Sequence, residues 1–278
     1  MDTSSISFTA LYTGQVWYEN GLAAPFFKTQ KGRLMYLGLQ PWEKLSEWAF
    51  GTNLHHLLLQ RHLILDHRIT QLIETGTTQI LEIACGLSPR GHDFTKRFPH
   101  IHYIEADLPD MAAQKQALLH KHKGFGKNHR VIDCNILEQG SPQGLDYILR
   151  EVLDPNQNTL VITEGLINYF SKEAITPFWQ TLATIGKDYP QLKYFADCYP
   201  VARNSSLYRK IIGPMKALGT VTRANVNPLF NSEQELKSHF TACGFREITI
   251  HQPENYYGTL DIPHSRGKTF TRVLEATA

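Results

Sequence analysis

The 278-residue sequence predicts an α/β fold: a mostly parallel sheet that ends in an antiparallel pair of strands and carries a helical cover at its N-terminal end. Three observations lead there. From residue 79 onward, apolar runs of strand length alternate with helical patterns, the rhythm of parallel strands joined by crossover helices. The run Gln79-Ile-Leu-Glu-Ile-Ala-Cys-Gly-Leu87 reads as a buried strand emptying into a tight loop at Gly86, and Ile101-His-Tyr-Ile-Glu-Ala-Asp107 as a second strand ending in a carboxylate. Near the C-terminus, 245–251 and 268–274 both read as strands with no helix between them, so they pair antiparallel.

The elements follow in order. Residues 1–50 read as irregular but rich in rings, among them Tyr12, Trp17, Tyr18, Tyr36, Trp42 and Trp48, and so aromatic a segment packs on something. A long helix is expected over about 53–74, with Leu57, Leu58, Leu65, Ile69 and Leu72 near one face and Gly76 stopping it. Strands then fall at 79–84, 101–106, about 130–134, 158–163 and 192–198, separated by helices near 91–98, 110–121, 143–152 and 172–187. Ser232-Glu-Gln-Glu opens a capped helix that closes at Gly244. With the terminal pair this makes seven strands. The chain divides into a cover or lid over 1–75 and a core over 76–278, within one compact domain.

Composition narrows the function classes. A net charge of +2 and a pI near 8.3 argue against a polyanion-seeking protein. The apolar runs are far shorter than the roughly 20 residues of a membrane span, and Met1–Ser7 shows no secretion signal. Cys85, Cys134, Cys198 and Cys243 form no Cys-x-x-Cys pair and read as free thiols of a reducing cytoplasm. Among His55, His56, His62 and His67, no two stand three or four residues apart, so no metal site is expected. The basic run from Lys115 through His129 and Arg130 has few interleaved rings and reads as a solvated face, not a nucleic-acid track.

The loop at Gly86 and the acid at Asp107 carry the chemistry. A strand, a tight loop, a helix and a second strand ending in an acid suit an adenosine nucleoside, with backbone close to the ligand and the carboxylate on its ribose hydroxyls. The further glycines of a pyrophosphate cradle are missing, so S-adenosylmethionine fits better than NAD.

On these residues the chain resembles the class I S-adenosylmethionine-dependent methyltransferases. Within them it looks like the leucine carboxyl methyltransferase group, which includes polyketide O-methyltransferases of the tetracenomycin type. The likeness is carried by Phe8-Thr-Ala-Leu-Tyr-Thr-Gly-Gln-Val-Trp17, Arg61-His-Leu-Ile-Leu-Asp66, the Gly86 loop with Tyr103-Ile-Glu-Ala-Asp-Leu-Pro109, and Leu160-Val-Ile-Thr-Glu-Gly-Leu-Ile-Asn-Tyr-Phe170. The resemblance implies a Rossmann-like sheet and a cofactor site. In that site Arg61 grips the cofactor carboxylate in two-pronged fashion, with Thr13 nearby. Glu82 lies under the methionine part, and Ala84 and Gly86 line it, Ala84 standing where the family has a first glycine. Asp107 takes the ribose, Asn135 and Ile136 flank the adenine, and Glu164 faces the sulfonium. Structural roles stand beside these: Asp107 could cap the next helix, Arg61 could be a solvated charge, and Arg90 could pair with Glu105 to brace the loop.

A methyl on a sulfonium needs alignment and dryness more than a catalytic triad. Tyr12 and Trp17 are lid candidates, or ordinary core. A carboxylate acceptor needs no base, whereas a hydroxyl does; Tyr169, Asp197 and Tyr199 are candidates, and Arg203 could bind an anionic substrate. Tyr169 and Arg203 rank first for the acceptor site. The expected activity is O-methylation of a carboxyl or hydroxyl group on a small, polyketide-like molecule, with no nucleic-acid or membrane partner and with a homo-oligomer left open. Three rivals remain: methylation of a protein C-terminal carboxylate, where family members carry lysine in place of Thr13; a non-catalytic S-adenosylmethionine-binding protein; and a nucleotide dehydrogenase.

Overall fold

A computed structural model describes residues 4–202, 228–266 and 269–278. Its centre is strand β1 (Gln79–Ile83), buried along its whole length. A strand covered on both faces has to be apolar throughout, and here Ile80, Leu81 and Ile83 comply. The exceptions, Gln79 and Glu82, must find their partners inside the protein.

Around β1 lie β2 (His102–Asp107), β3 (His129–Asp133), β4 (Thr159–Thr163), β5 (Leu192–Cys198), β6 (Arg246–His251) and β7 (Arg272–Thr277). The order across the sheet is β3-β2-β1-β4-β5-β7-β6. The first five strands are parallel, while β7 runs antiparallel between β5 and β6. The chain therefore reverses its direction of build between β1 and β4, and such a switch point opens a crevice at the carboxyl ends of the strands.

The helices are α1 (Ser4–Glu19), α2 (Gln30–Phe50), α3 (Leu54–Glu74), α4 (Arg90–Arg97), α5 (Pro109–Lys121), the short α6 (Leu145–Tyr147), α7 (Lys172–Ile185) and α8 (Glu233–Cys243). Side-chain caps start four of them. Thr29, Asn53, Ser171 and Ser232 each accept the backbone N–H three residues on, satisfying a donor that the first turn leaves orphaned. On α7, Ile175, Phe178, Trp179, Leu182 and Ala183 face inward and join Tyr194 of β5 and Phe240 of α8 in the larger core cluster.

The expected fold holds, with three local corrections. Residues 4–50 are not irregular: they form α1 and α2, joined through a short 3-10 turn at Pro25–Phe27. The helix expected at 143–152 is three residues of α-helix followed by a π-turn over Ile148–Val152. The last strand starts at Arg272 and not at 268.

Register sets up the site. Ile83 lies opposite Ala106 on one side and Thr163 on the other, and Thr163 opposite Ala196. One residue further along each strand come Ala84, Asp107, Glu164 and Asp197, level with one another along one edge of the sheet. Four distant stretches of sequence thus deliver three acids and a loop to the same place.

Candidate active site

A cleft of about 520 Å³ opens at this edge, a size suited to a small cofactor with part of a substrate. It is lined by the loop from Ala84 to Ser88, by Asp107 to Met111, by Glu164 to Leu166, by Glu82, Arg61, Gln114 and Tyr169, and by Ala10, Thr13, Gly14 and Trp17 of α1. Among the described residues its acids are Glu82, Asp107, Asp110 and Glu164, and its one cation is Arg61.

The Asp107 end is built from backbone. Gly86 has φ +48, and a Cβ placed there would stand 3.1 Å from the Cβ of Ala10, so the turn is closed against α1. Ala84 has φ +56, a left-handed conformation that costs an alanine roughly 1–2 kcal/mol and a glycine nothing. That strain falls at the position where the resemblance implies a glycine. The N–H of Gly86 donates to Asp107 Oδ2 at 2.7 Å and the N–H of Leu108 to Oδ1 at 2.8 Å. Each oxygen keeps a lone pair for a further donor, a pairing that matches a vicinal diol. Burial raises the Asp107 carboxyl despite these two hydrogen bonds.

The Arg61 end is built from charge. Glu164 accepts from Arg61 Nε at 2.9 Å, pairs with Arg90 Nη1 at 2.6 Å and meets His62 Nδ1 at 3.0 Å. Arg61 Nη1 donates to Asp197 Oδ2 at 2.9 Å and to the Tyr199 hydroxyl at 3.1 Å. Arg90, 1 % exposed, also reaches Glu82 at 2.9 Å and Asp66, while the Tyr103 hydroxyl donates to Glu82 at 2.8 Å. Burial would raise the Glu164 carboxyl, but Arg90, His62 and Arg61 outweigh it and hold it well below the usual carboxylate range. Trp17 stacks on His62 with ring centroids 3.9 Å apart, which ties α1 to the network. Two guanidiniums thus serve four carboxylates, Asp66, Glu82, Glu164 and Asp197, leaving the cleft floor negative and suited to a cation.

The structure gathers Thr13, Arg61, Glu82, Ala84, Gly86, Asp107, Glu164 and Tyr169 around one cavity. It separates others. Asn135 and Ile136 do not line the cleft: Asn135 Oδ1 accepts the Leu137 N–H and its amide bonds Glu138, and Ile136 packs on the core. Asp197 and Tyr199 are not free bases, since Asp197 is fully buried, holding Arg61 with one oxygen and the Gly165 N–H with the other. The two-pronged grip expected of Arg61 is curtailed, because Nε and Nη1 are already committed and only Nη2 keeps no protein partner among the described residues. Arg203 lies outside the described residues.

Two ion pairs also fall differently. Arg90 does not brace Glu105. Glu105 instead accepts from Lys115 at 2.6 Å and meets His129 at 2.7 Å, so these two members of the basic run turn inward and are not solvated. Arg90 and Asp66 were missed as parts of the site, although the helical spacing of His62 and Asp66, four residues apart, places both on one face toward Glu164 and Arg90.

The sequence profile of the leucine carboxyl methyltransferase family matches residues 16–184, more than half of the chain. No curated protein matches the sequence. Among solved structures, one from Thermobifida fusca YX described as a methyltransferase superposes with a TM-score of 0.58 at 13 % identity, covering 98 % of this chain and 93 % of that one. The S-adenosylmethionine-dependent methyltransferase SibL, solved in its apo form, gives 0.52 at 14 % identity over 89 % of this chain. The chain spans 59 % of SibL's length and 50 % of that of PigF, solved with SAH. These likenesses show the fold, that of class I methyltransferases. The family is one of S-adenosylmethionine-dependent methyltransferases. On the profile match this chain belongs to the leucine carboxyl methyltransferase family.

Proposed function

We propose that the chain binds S-adenosylmethionine in this cleft and transfers its methyl group to a carboxyl or hydroxyl oxygen of a small molecule. The observation that carries the reading is the level alignment of the Ala84–Gly86 turn, Asp107 and Glu164 around one cavity. When bound, the cofactor supplies an electrophilic methyl on a cationic sulfur. Asp107 accepts from the ribose hydroxyls, and the bare Gly86 turn lets backbone approach the nucleoside. Glu82 and Glu164 supply negative potential on the methionine side, and Arg61 Nη2 and Thr13 meet the carboxylate. Residues 1–75 act as the lid over the core of 76–278, with Trp17 excluding water.

On the acceptor side, Trp17, Leu87, Leu166 and Tyr169 offer a mostly apolar wall suited to a polyketide-like ring system. Asp197 and Tyr199 are committed to Arg61 and the Gly165 N–H, which favours an acceptor that is already ionised. Thr13 in place of lysine favours a small molecule over a protein C-terminus. Four buried, unbridged cysteines fit a reducing compartment, and no helix among the described residues is long and apolar enough to cross a membrane.

Titration calorimetry with S-adenosylmethionine and S-adenosylhomocysteine, then turnover against pooled small carboxylic acids and phenols, tests the proposal. Binding of both with one-methyl mass gains in an acid or phenol pool is expected. Binding with no methylated product in any pool would instead mark a binding protein, and no binding removes the assignment.

A further inference from the structure

Five of the seven large apolar side chains that stand exposed among the described residues lie on α2: Leu34 (72 %), Leu37 (55 %), Trp42 (67 %), Leu45 (52 %) and Trp48 (80 %). The opposite face of α2 meets α1: Met35 and Leu39 pack on the Tyr12–Val16–Trp17 cluster, and Glu43 accepts from the Tyr12 hydroxyl at 3.0 Å. The exposed face is therefore surplus to the packing of the described residues. Two indoles alone present on the order of 300 Å², and with three leucines added the patch reaches the size that marks an interaction site on a soluble protein.

We infer that this face is where a second copy of the chain docks, through antiparallel two-fold pairing of α2 with α2. The first support is spacing. Leu34, Leu37, Pro41, Leu45 and Trp48 follow one another at intervals of three, four, four and three residues, which keeps them on one stripe of the helix and reads the same from either end. An isologous contact requires that symmetry. With the two-fold axis at Pro41, Leu34 of one copy faces Trp48 of the other, Leu37 faces Leu45, and Pro41 faces itself.

The second support is Gly38. It sits in mid-helix on this stripe, where a glycine costs about 1 kcal/mol relative to alanine. A Cβ there would meet nothing within 4 Å, so no contact among the described residues explains it. A second helix crossing at that level does, because a missing side chain lets two backbones approach.

The third support is charge. Arg33 and Glu47 lie on the same flank of the stripe, eight residues before and six residues after Pro41. The two-fold exchange brings Arg33 of one copy within about 3 Å of axial rise of the level of Glu47 of the other. Lys31, Arg33 and Lys44 would also suit an anionic membrane surface, but such a surface imposes no mirrored spacing and has no use for an open glycine. Through the Tyr12–Glu43 contact, pairing of α2 would also steady α1, which lines the cleft.

The inference stands apart from the methyl-transfer reading, and its test needs no activity. In sedimentation equilibrium the full chain is expected at twice 31.7 kDa, and Leu37→Glu/Trp48→Glu at 31.7 kDa with unchanged circular dichroism, a loss of affinity of at least a hundredfold. As a second measure, Pro41→Cys should cross-link to itself under mild oxidation, since all four native cysteines are buried, while the exposed control Glu151→Cys stays single. A wild-type monomer at tens of micromolar, a dimer that survives the double substitution, or cross-linking no faster at 41 than at 151 overturns it. So does a monomer that pellets with phosphatidylserine vesicles, which would assign the face to a membrane.

Discussion

The two ends of the cleft are made in different ways. At one end Gly86, Asp107 and Leu108 close a turn with two backbone N–H groups on one carboxylate, all within 23 residues of sequence. At the other, Arg61 meets Glu164 and Asp197 across 103 and 136 residues. The first end stakes little free energy on any one group, because backbone donors are already in place when the strand ends. The second holds two guanidiniums and four carboxylates in a largely dry site, where each depends on the others. Damage at the Asp107 end should therefore show mainly in ligand binding, and damage at the Arg61 end mainly in folding.

The largest test is Arg90→Met. It leaves Glu82, Asp66 and Glu164 short of a partner, and breaking a buried pair typically costs about 3–5 kcal/mol. Urea unfolding should show that loss; a cost below about 1 kcal/mol would mean the network is ornamental. Next comes a contrast in binding. Asp107→Ala should weaken adenosine and S-adenosylmethionine alike by about 1–3 kcal/mol, whereas Arg61→Met should weaken the intact cofactor more than adenosine. Equal losses for both ligands at Arg61 would remove it from the methionine carboxylate.

A smaller effect is the acid limb of stability. Burial would raise Glu275, but hydrogen bonds from His251, Lys193 and Arg68 outweigh it and hold the carboxyl at about 2; Glu164 is lowered likewise by its cations. For both, the folded value lies below the unfolded one of about 4.3. Their stabilisation is complete above that pH and drains as the pH falls through the folded value, which for Glu275 is about 2. Asp107, raised by burial, works with the opposite sign. Urea midpoints taken across this range should fall for the native chain and fall less for Glu275→Gln; parallel slopes would contradict the assignment. The smallest effect is Ala84→Gly, where relief of the left-handed strain and the greater freedom of unfolded glycine nearly cancel, leaving a change within about 1 kcal/mol. A large loss would show that the Ala84 methyl packs on something the turn needs.

Much of this was legible in the residues. The alternation from residue 79 onward gave the parallel sheet, and the apolar strand running into Ala84-Cys-Gly86, with Asp107 closing the next strand, gave the Asp107 end, since both are consequences of local pattern. Arg90 reads from the sequence as a loop brace on Glu105; only packing reveals that Lys115 and His129 claim Glu105 first. Asp197 and Tyr199 looked like bases at a strand end, and the fold spends them on holding Arg61 and Gly165. Asn135 looked like a ligand to adenine, and its side chain is consumed by its own turn.

The sequence by itself determined the strand order's raw material, the bare turn at Gly86 and the acid that follows it, because hydrophobic periodicity and glycine conformation act over a few residues. Which charges meet, and which candidate acids remain available to a ligand, was decided only by tertiary structure. The register that levels Ala84, Asp107, Glu164 and Asp197 joins residues more than a hundred positions apart, and ion pairing depends on distance in space and on burial, neither of which is written along the chain.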